Sequence, residues 1–252
     1  MKKALNQAKI LNISVNSTTR QEVLTTIGDR IKNKEKFVVF TPNPEIIVAA
    51  SSDPRLASIL NSADLSIPDG IGLKLVNPSL SIYKGRKLML DLINLADSQK
   101  LKVYFLGASK DVNKKVLQKA KVKHPNLTVE ASSGPMLDKE GKPVSEEELS
   151  SEKETIAHIN RFSPQILFVA FGTPKEQKWI YLHKDELKAN CIMEVGGAFD
   201  YLAGSALLPP KILESLGLEW FWRLINEPQR AGRIFTALVL FPIKVLLSKI
   251  AS

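Results

Sequence analysis

The chain has 252 residues and a formal net charge of +9, with 35 lysines and arginines against 26 aspartates and glutamates. Hydrophobic residues make up 44% and charged residues 24%, proportions of a packed chain about the size of one large α/β domain, which excludes wholesale disorder. One cysteine and three histidines exclude a disulfide framework and a Cys/His zinc cluster.

Short apolar runs alternate with helical patterns along most of the chain. Strands are expected at 8–15, 37–41, 65–68, 103–107, 127–131, 166–170 and 192–195. Several of these runs lack polar alternation, as strands covered on both faces do. Helices are expected between them, at 18–33 after a Ser17 cap, 85–99, 110–123, 145–161 and 174–188. Ser145 and Glu148 have the spacing of a capping box. This alternation predicts an α/β fold with a Rossmann-like, mostly parallel sheet and flanking helices. Cys191, inside Cys-Ile-Met-Glu-Val, reads as a small core residue. Past Ala203 the rhythm changes to helices only, so the expected division is an α/β core over 1–203 and a helical appendage over 204–252.

The charge is unevenly placed. Lysines between 100 and 123 and acids between 138 and 154 read as solvated helix faces. No acid follows Glu227, where Arg230, Arg233, Lys244 and Lys249 flank an apolar segment, Ile234–Leu247. That segment is shorter than the roughly 20 residues of an unaided bilayer span. Its flanking cations suit a helix lying on an anionic membrane surface, with packing on the core or on a second subunit as the alternative. Met1-Lys2-Lys3 is followed by no long apolar run, so no signal peptide is expected and the cytoplasm is the expected compartment.

Polar and glycine-rich residues gather at the carboxyl ends of the expected strands, where parallel sheets bind ligands. These loops are Thr41-Pro42-Asn43, Asp69-Gly70-Ile71-Gly72, Gly107-Ala108-Ser109, Gly172-Thr173-Pro174-Lys175-Glu176-Gln177 and Gly196-Gly197. Asp69 could equally cap a helix. Leu75 occupies the third-glycine position of a dinucleotide fingerprint, and no P-loop, nucleophile elbow or Asp-x-Asp metal pair occurs. A diphosphate would then need side-chain cations, which Arg223, Arg230 and Arg233 offer. The same arginines could instead meet lipid phosphates, Glu219 or Glu227. Nucleic acid is not expected as a partner, since the core carries no basic-aromatic stripe or reader motif.

Taken together, Thr41-x-Asn43, Asp69-Gly70-Ile71-Gly72, Gly172-x-Pro174-Lys175, Gly196-Gly197-x-Phe199-Asp200 and the block from Gly217-Leu218-Glu219-Trp220 to Arg233 resemble the WecG/TagA/CpsF glycosyltransferases, glycosyltransferase family 26. The resemblance runs from about Ile10 to Arg233. It implies an inverting, metal-independent enzyme without a cofactor, peripheral on the inner face of the bacterial membrane. Such an enzyme moves N-acetylmannosamine or a related sugar from a UDP-sugar to undecaprenyl-diphosphate-linked N-acetylglucosamine for cell-surface polysaccharide or teichoic acid. A homo-oligomer off the membrane is a further expectation, and a silent nucleotide-sugar or lipid-binding homologue is the alternative.

Carried onto this chain, the resemblance makes Asp69 the general base. Thr41, Asn43, Gly70, Gly72, Gly172, Glu176, Gln177, Gly196, Gly197, Arg223, Arg230 and Arg233 become substrate-binding. Three positions depart from the family pattern. Glu176-Gln177 inverts the usual Gln-Glu, Leu208-Pro209-Pro210 replaces Arg-Ala-Pro, and Lys87 replaces an acid.

Overall fold

The computed structural model describes residues 6–250, so Met1-Lys2-Lys3 lies outside the described residues. Its strands are β1 (Gln7–Ile10), β2 (Ile13–Asn16), β3 (Phe37–Phe40), β4 (Leu65–Ser66), β5 (Lys102–Gly107), β6 (Thr128–Ser132), β7 (Ile166–Ala170) and β8 (Cys191–Glu194). The last six form one parallel sheet in the order β4-β3-β8-β7-β5-β6. The fold is therefore α/β, as the alternation of runs predicts.

The central strands Phe37–Phe40 and Ile166–Ala170 are apolar on both faces because both faces are covered. Phe37, Val39, Phe105, Phe168 and Met193 face one layer, with the helices Arg20–Lys32, Gly85–Ser98, Lys110–Lys123 and Ala198–Ala203. Val38, Phe40, Tyr104, Val169 and Ile192 face the other, under Pro44–Ala50, Pro54–Asn61, Glu146–Phe162 and Lys175–His183. The period-two alternation of the pleat thus sorts one continuous apolar run into two cores. Burying each large side chain contributes about 1.5–3 kcal/mol. Cys191 is a free, buried thiol within the first core.

Several elements differ from expectation. The run 8–15 is not one sheet strand but the antiparallel hairpin β1–β2, outside the parallel sheet. Its turn places Leu11 at φ 50°, without the glycine that would have marked it. The first helix is capped by Thr19, with Glu22 closing a capping box, rather than by Ser17. Ser145 does cap its helix by accepting from the Glu148 N–H, but the Glu148 carboxylate accepts from the Met136 N–H instead. The helix expected over 174–188 ends at His183.

Past Ala203 the regular elements are helical: Lys211–Ser215, Glu219–Asn226 and an unbroken run over Pro228–Ile250. That run has 23 residues and contains an 18-residue stretch of mean hydropathy 1.7, long and apolar enough to cross a membrane, and it is longer than the segment read from the sequence. A π-turn, Thr236–Leu240, precedes Pro242. The wider turn lets the helix continue past a residue that has no N–H to donate. Phe241 and Val245 are buried in the second core, while Ile243, Leu246, Leu247 and Ile250 face outward. The Lys244 ammonium donates to Ser51 and Ser52, so this cation meets the core.

Candidate active site

A pocket of about 550 Å3 opens where the carboxyl ends of β3, β5, β7 and β8 meet the C-terminal helices. The strand-end loops bring Thr41, Asn43, Asp69, Gly172, Gly196 and Gly197 to its wall, and the first turn of the helix Lys175–His183 brings Glu176 and Gln177. The C-terminal helices bring Arg223, Arg230 and Arg233. Gly70 and Gly72, expected to bind substrate, do not line it. Gly72 is a packing position: an added Cβ would lie 2.9 Å from Pro44 and 3.0 Å from the Ala237 carbonyl of the C-terminal helix.

Asp69 does not cap the helix that follows it, Gly72–Val76, but accepts the first N–H of the helix Gly85–Ser98. Its Oδ2 accepts the Gly85 N–H at 3.0 Å. Burial raises its pKa, against the pull of that N–H and of the Arg223 and Lys84 charges. A carboxylate of raised pKa beside cations is suited to accept a proton from a hydroxyl. Gly85 also lets the loop close on Thr41, since a Cβ there would sit 2.7 Å from Thr41 Oγ1. Asn43 Oδ1 caps the helix Pro44–Ala50 by accepting from the Ile46 N–H at 3.0 Å. Its amide group is thereby oriented at the pocket wall.

Two further carboxyls lie beneath. Glu176 accepts from the Gly172 N–H at 3.1 Å and from the Thr173 hydroxyl at 3.1 Å, tying its own loop together. Glu194, at the end of β8, accepts from the Thr41 N–H and from the Thr41 hydroxyl at 2.9 Å. Burial pushes both carboxyls well above the usual carboxylate range, and the charge of Glu194 further opposes ionisation of Glu176. Gln177 is also buried, and its Oε1 has no partner among the described residues.

The opposite wall is cationic. Arg223 pairs with Glu219 at 3.1 Å, Arg230 with Glu227, and Arg233 with Glu45 at 2.6 Å. The alternative of pairing with Glu219 and Glu227 is therefore realised together with the pocket position, since each arginine also lines the cavity. The Arg223 Nε–H is buried and has no acceptor among the described residues. Arg223 and Arg86 both stack on the Tyr201 ring, at 5.3 and 5.0 Å from its centroid.

A second set of ion pairs fastens this wall to the core. Lys84, Arg86 and Lys87 meet Glu214, and Lys84 and Arg86 also reach Glu219. Lys87, which departs from the family pattern, thus serves as a partner for the C-terminal helices.

Sequence reasoning missed Glu194, Arg86 and Tyr201 as pocket residues. An acid inside the apolar run Cys-Ile-Met-Glu-Val was the available signal for Glu194. For Arg86 it was the basic triplet Lys84, Arg86 and Lys87 around Gly85. Nothing in the sequence marked Tyr201.

Asp69 and three arginines thus line one pocket at the carboxyl edge of a parallel sheet, an arrangement that suits a substrate bearing phosphate. The chain matches the glycosyl transferase WecG/TagA/CpsF family over residues 8–252. It belongs to that family and is a glycosyltransferase. One relative, from Bacillus spizizenii, is 29% identical over 239 residues, covering 93% of this chain and 87% of the relative. Two from Staphylococcus aureus strains are 27% identical over 238 residues, covering 91% of this chain and 89% of each relative. All three are named N-acetylglucosaminyldiphosphoundecaprenol N-acetyl-beta-D-mannosaminyltransferase.

Proposed function

We propose that this chain transfers N-acetylmannosamine, or a closely related hexose, from a UDP-sugar to N-acetylglucosaminyl-diphosphoundecaprenol. In this reading Asp69 removes the proton of the acceptor hydroxyl as its oxygen attacks the anomeric carbon. The bond from that carbon to the donor phosphate breaks, and UDP leaves with the electron pair. Arg223, Arg230 and Arg233 compensate the charge that grows on the departing diphosphate, the service a metal gives in other enzymes. Both oxygens of Glu176 are held within their loop and Glu194 Oε1 takes two bonds from Thr41, while Asp69 takes only the Gly85 N–H, which favours Asp69 as the one carboxylate of a single displacement with inversion. Thr41 and Asn43 line the sugar and acceptor side, and Gly196-Gly197 let the backbone approach the nucleotide.

The observation that carries this reading is the placement of Asp69 and Arg223 in one pocket, with an unpartnered Nε–H on Arg223. The lipid-linked acceptor in the relatives' names and the outward apolar face of Pro228–Ile250 support work at the inner face of the membrane. In this reading residues 204–252 are a membrane-binding appendage and residues 1–203 the core. Incubation with UDP-sugars and a lipid-linked N-acetylglucosamine acceptor, read as UDP release, tests the proposal. Tight UDP-sugar binding without release would favour a silent binding protein instead.

A further inference from the structure

The outward apolar face of the C-terminal helices is extended by a piece of the core. Just after Asp69 the chain enters the short helix Gly72–Val76, where Leu73 is buried while Ile71 and Leu75 remain 42% and 60% exposed. Residues three and four apart share one side of a helix, so Ile71, Leu75 and the exposed Lys74 point the same way. This helix is wedged against the C-terminal ones. A Cβ at Gly72 would lie 3.0 Å from the Ala237 carbonyl, and Gly72–Val76 packs on the last helical segment, Phe241–Ile250. On the other side, a Cβ at Gly217 would lie 3.2 Å from Ile71 Cγ1. Ile71 and Leu75 thus link the exposed Leu216, next to Gly217, with the exposed Ile243 and Leu246 of the last segment.

The charges around this face are sorted. Glu214 and Glu219 are paired with Lys84, Arg86 and Lys87, Glu227 with Arg230, and Glu45 with Arg233. Lys74, Lys211 and Lys249 are exposed. A broad apolar face rimmed by exposed lysines, with its acids already paired, complements an anionic lipid surface. A second copy in a two-fold contact would instead bring this cationic face against itself. Resting on the reading above that the chain works at the membrane, we propose that Gly72–Val76 is a membrane-docking element of the core. Ile71 and Leu75 enter the lipid interface beside the C-terminal helices, and Lys74 lies among the headgroups. Docking then holds both walls of the pocket to the bilayer, one through the arginine-bearing helices and the other through the loop that carries Asp69. The base is thereby kept near the headgroup level, where a lipid-linked diphosphate lies.

The test places an environment-sensitive fluorophore on the full chain at Leu75→Cys, the native Cys191 being buried and so shielded from labelling. On vesicles of phosphatidylglycerol and phosphatidylcholine, emission from this label shifts to the blue and is quenched by lipids spin-labelled at a shallow acyl position. The same label at Val122→Cys keeps its water-like emission, since Val122 is 86% exposed on the lysine-rich helix Lys110–Lys123, in the other layer of the fold. Leu75→Glu in the unlabelled chain weakens partitioning onto the vesicles by roughly tenfold or more. Its melting temperature changes little, because the side chain it replaces is already exposed. A Leu75 label that stays water-like on vesicles that the wild-type chain binds overturns the proposal, as does a blue shift at Val122 in its place. A blue shift at Leu75 that grows with protein concentration in the absence of vesicles assigns the face to a second copy and overturns it too. A wild-type chain that does not sediment with the vesicles overturns the membrane reading instead.

Discussion

The two walls of the pocket are built from different material. The sheet side carries acids on a strand end, a short loop and the first turn of a helix, with Glu194 at 4% exposure and Glu176 fully buried. The opposite side carries arginines on C-terminal helices whose outer faces leave Phe221, Ile225, Leu246 and Leu247 to solvent. Acids that must change protonation are thus held where burial shifts them, and cations that need only remain charged sit on a more open element. In the proposed mechanism reactivity belongs to the core and charge compensation to the helices. Lys84, Arg86 and Lys87 tie Glu214 and Glu219 of those helices to the core.

That division can be broken from either side. Asp69→Asn removes the proton acceptor and should lower kcat by about 10²–10⁴-fold while UDP affinity, measured by calorimetry, stays near that of the wild type. Arg223→Ala acts on the other wall. It should lower kcat/KM by roughly 10²-fold, with UDP affinity falling too, because the lost group meets the diphosphate in both ground and transition states. Replacing Leu246 and Leu247 together by Glu leaves both walls intact and should abolish sedimentation with anionic vesicles, with little change in melting temperature because both side chains are already exposed. The smallest effect is on stability. Glu176 and Glu194 bind protons more tightly folded than unfolded, so their contribution is full below the unfolded carboxylate pKa and declines as pH rises through the raised folded values. The melting temperature of Glu194→Gln should therefore gain on that of the wild type as pH increases across this window.

How much of this was legible depends on how strongly each segment's pattern exceeds its surroundings. Ile166–Ala170 reads as a strand because all its side chains are buried, leaving a pure apolar run. Pro44–Ala50 and Pro54–Asn61 passed unnoticed because seven and eight residues are too few to display a helical period. Their signatures were the caps Asn43 and Asp53, each followed by proline. Thr41, Asn43, Asp69 and the arginines were found through loop position and family resemblance. Gly70 and Gly72 share their motif with Asp69, but the motif does not say which of its residues faces the ligand and which packs against Pro44. The Pro228–Ile250 helix was underestimated because Arg230, Arg233 and Pro242 break its apolar pattern without breaking its backbone.

The central claim is that Asp69 takes the acceptor proton in a pocket whose arginines carry the leaving diphosphate. Single-turnover UDP release from a UDP-sugar, with lipid-linked N-acetylglucosamine present, measures that step directly in wild-type and Asp69→Asn chains saturated with donor. The account predicts release by the wild type and almost none by the variant at equal donor occupancy. Release by Asp69→Asn at the wild-type rate would contradict it.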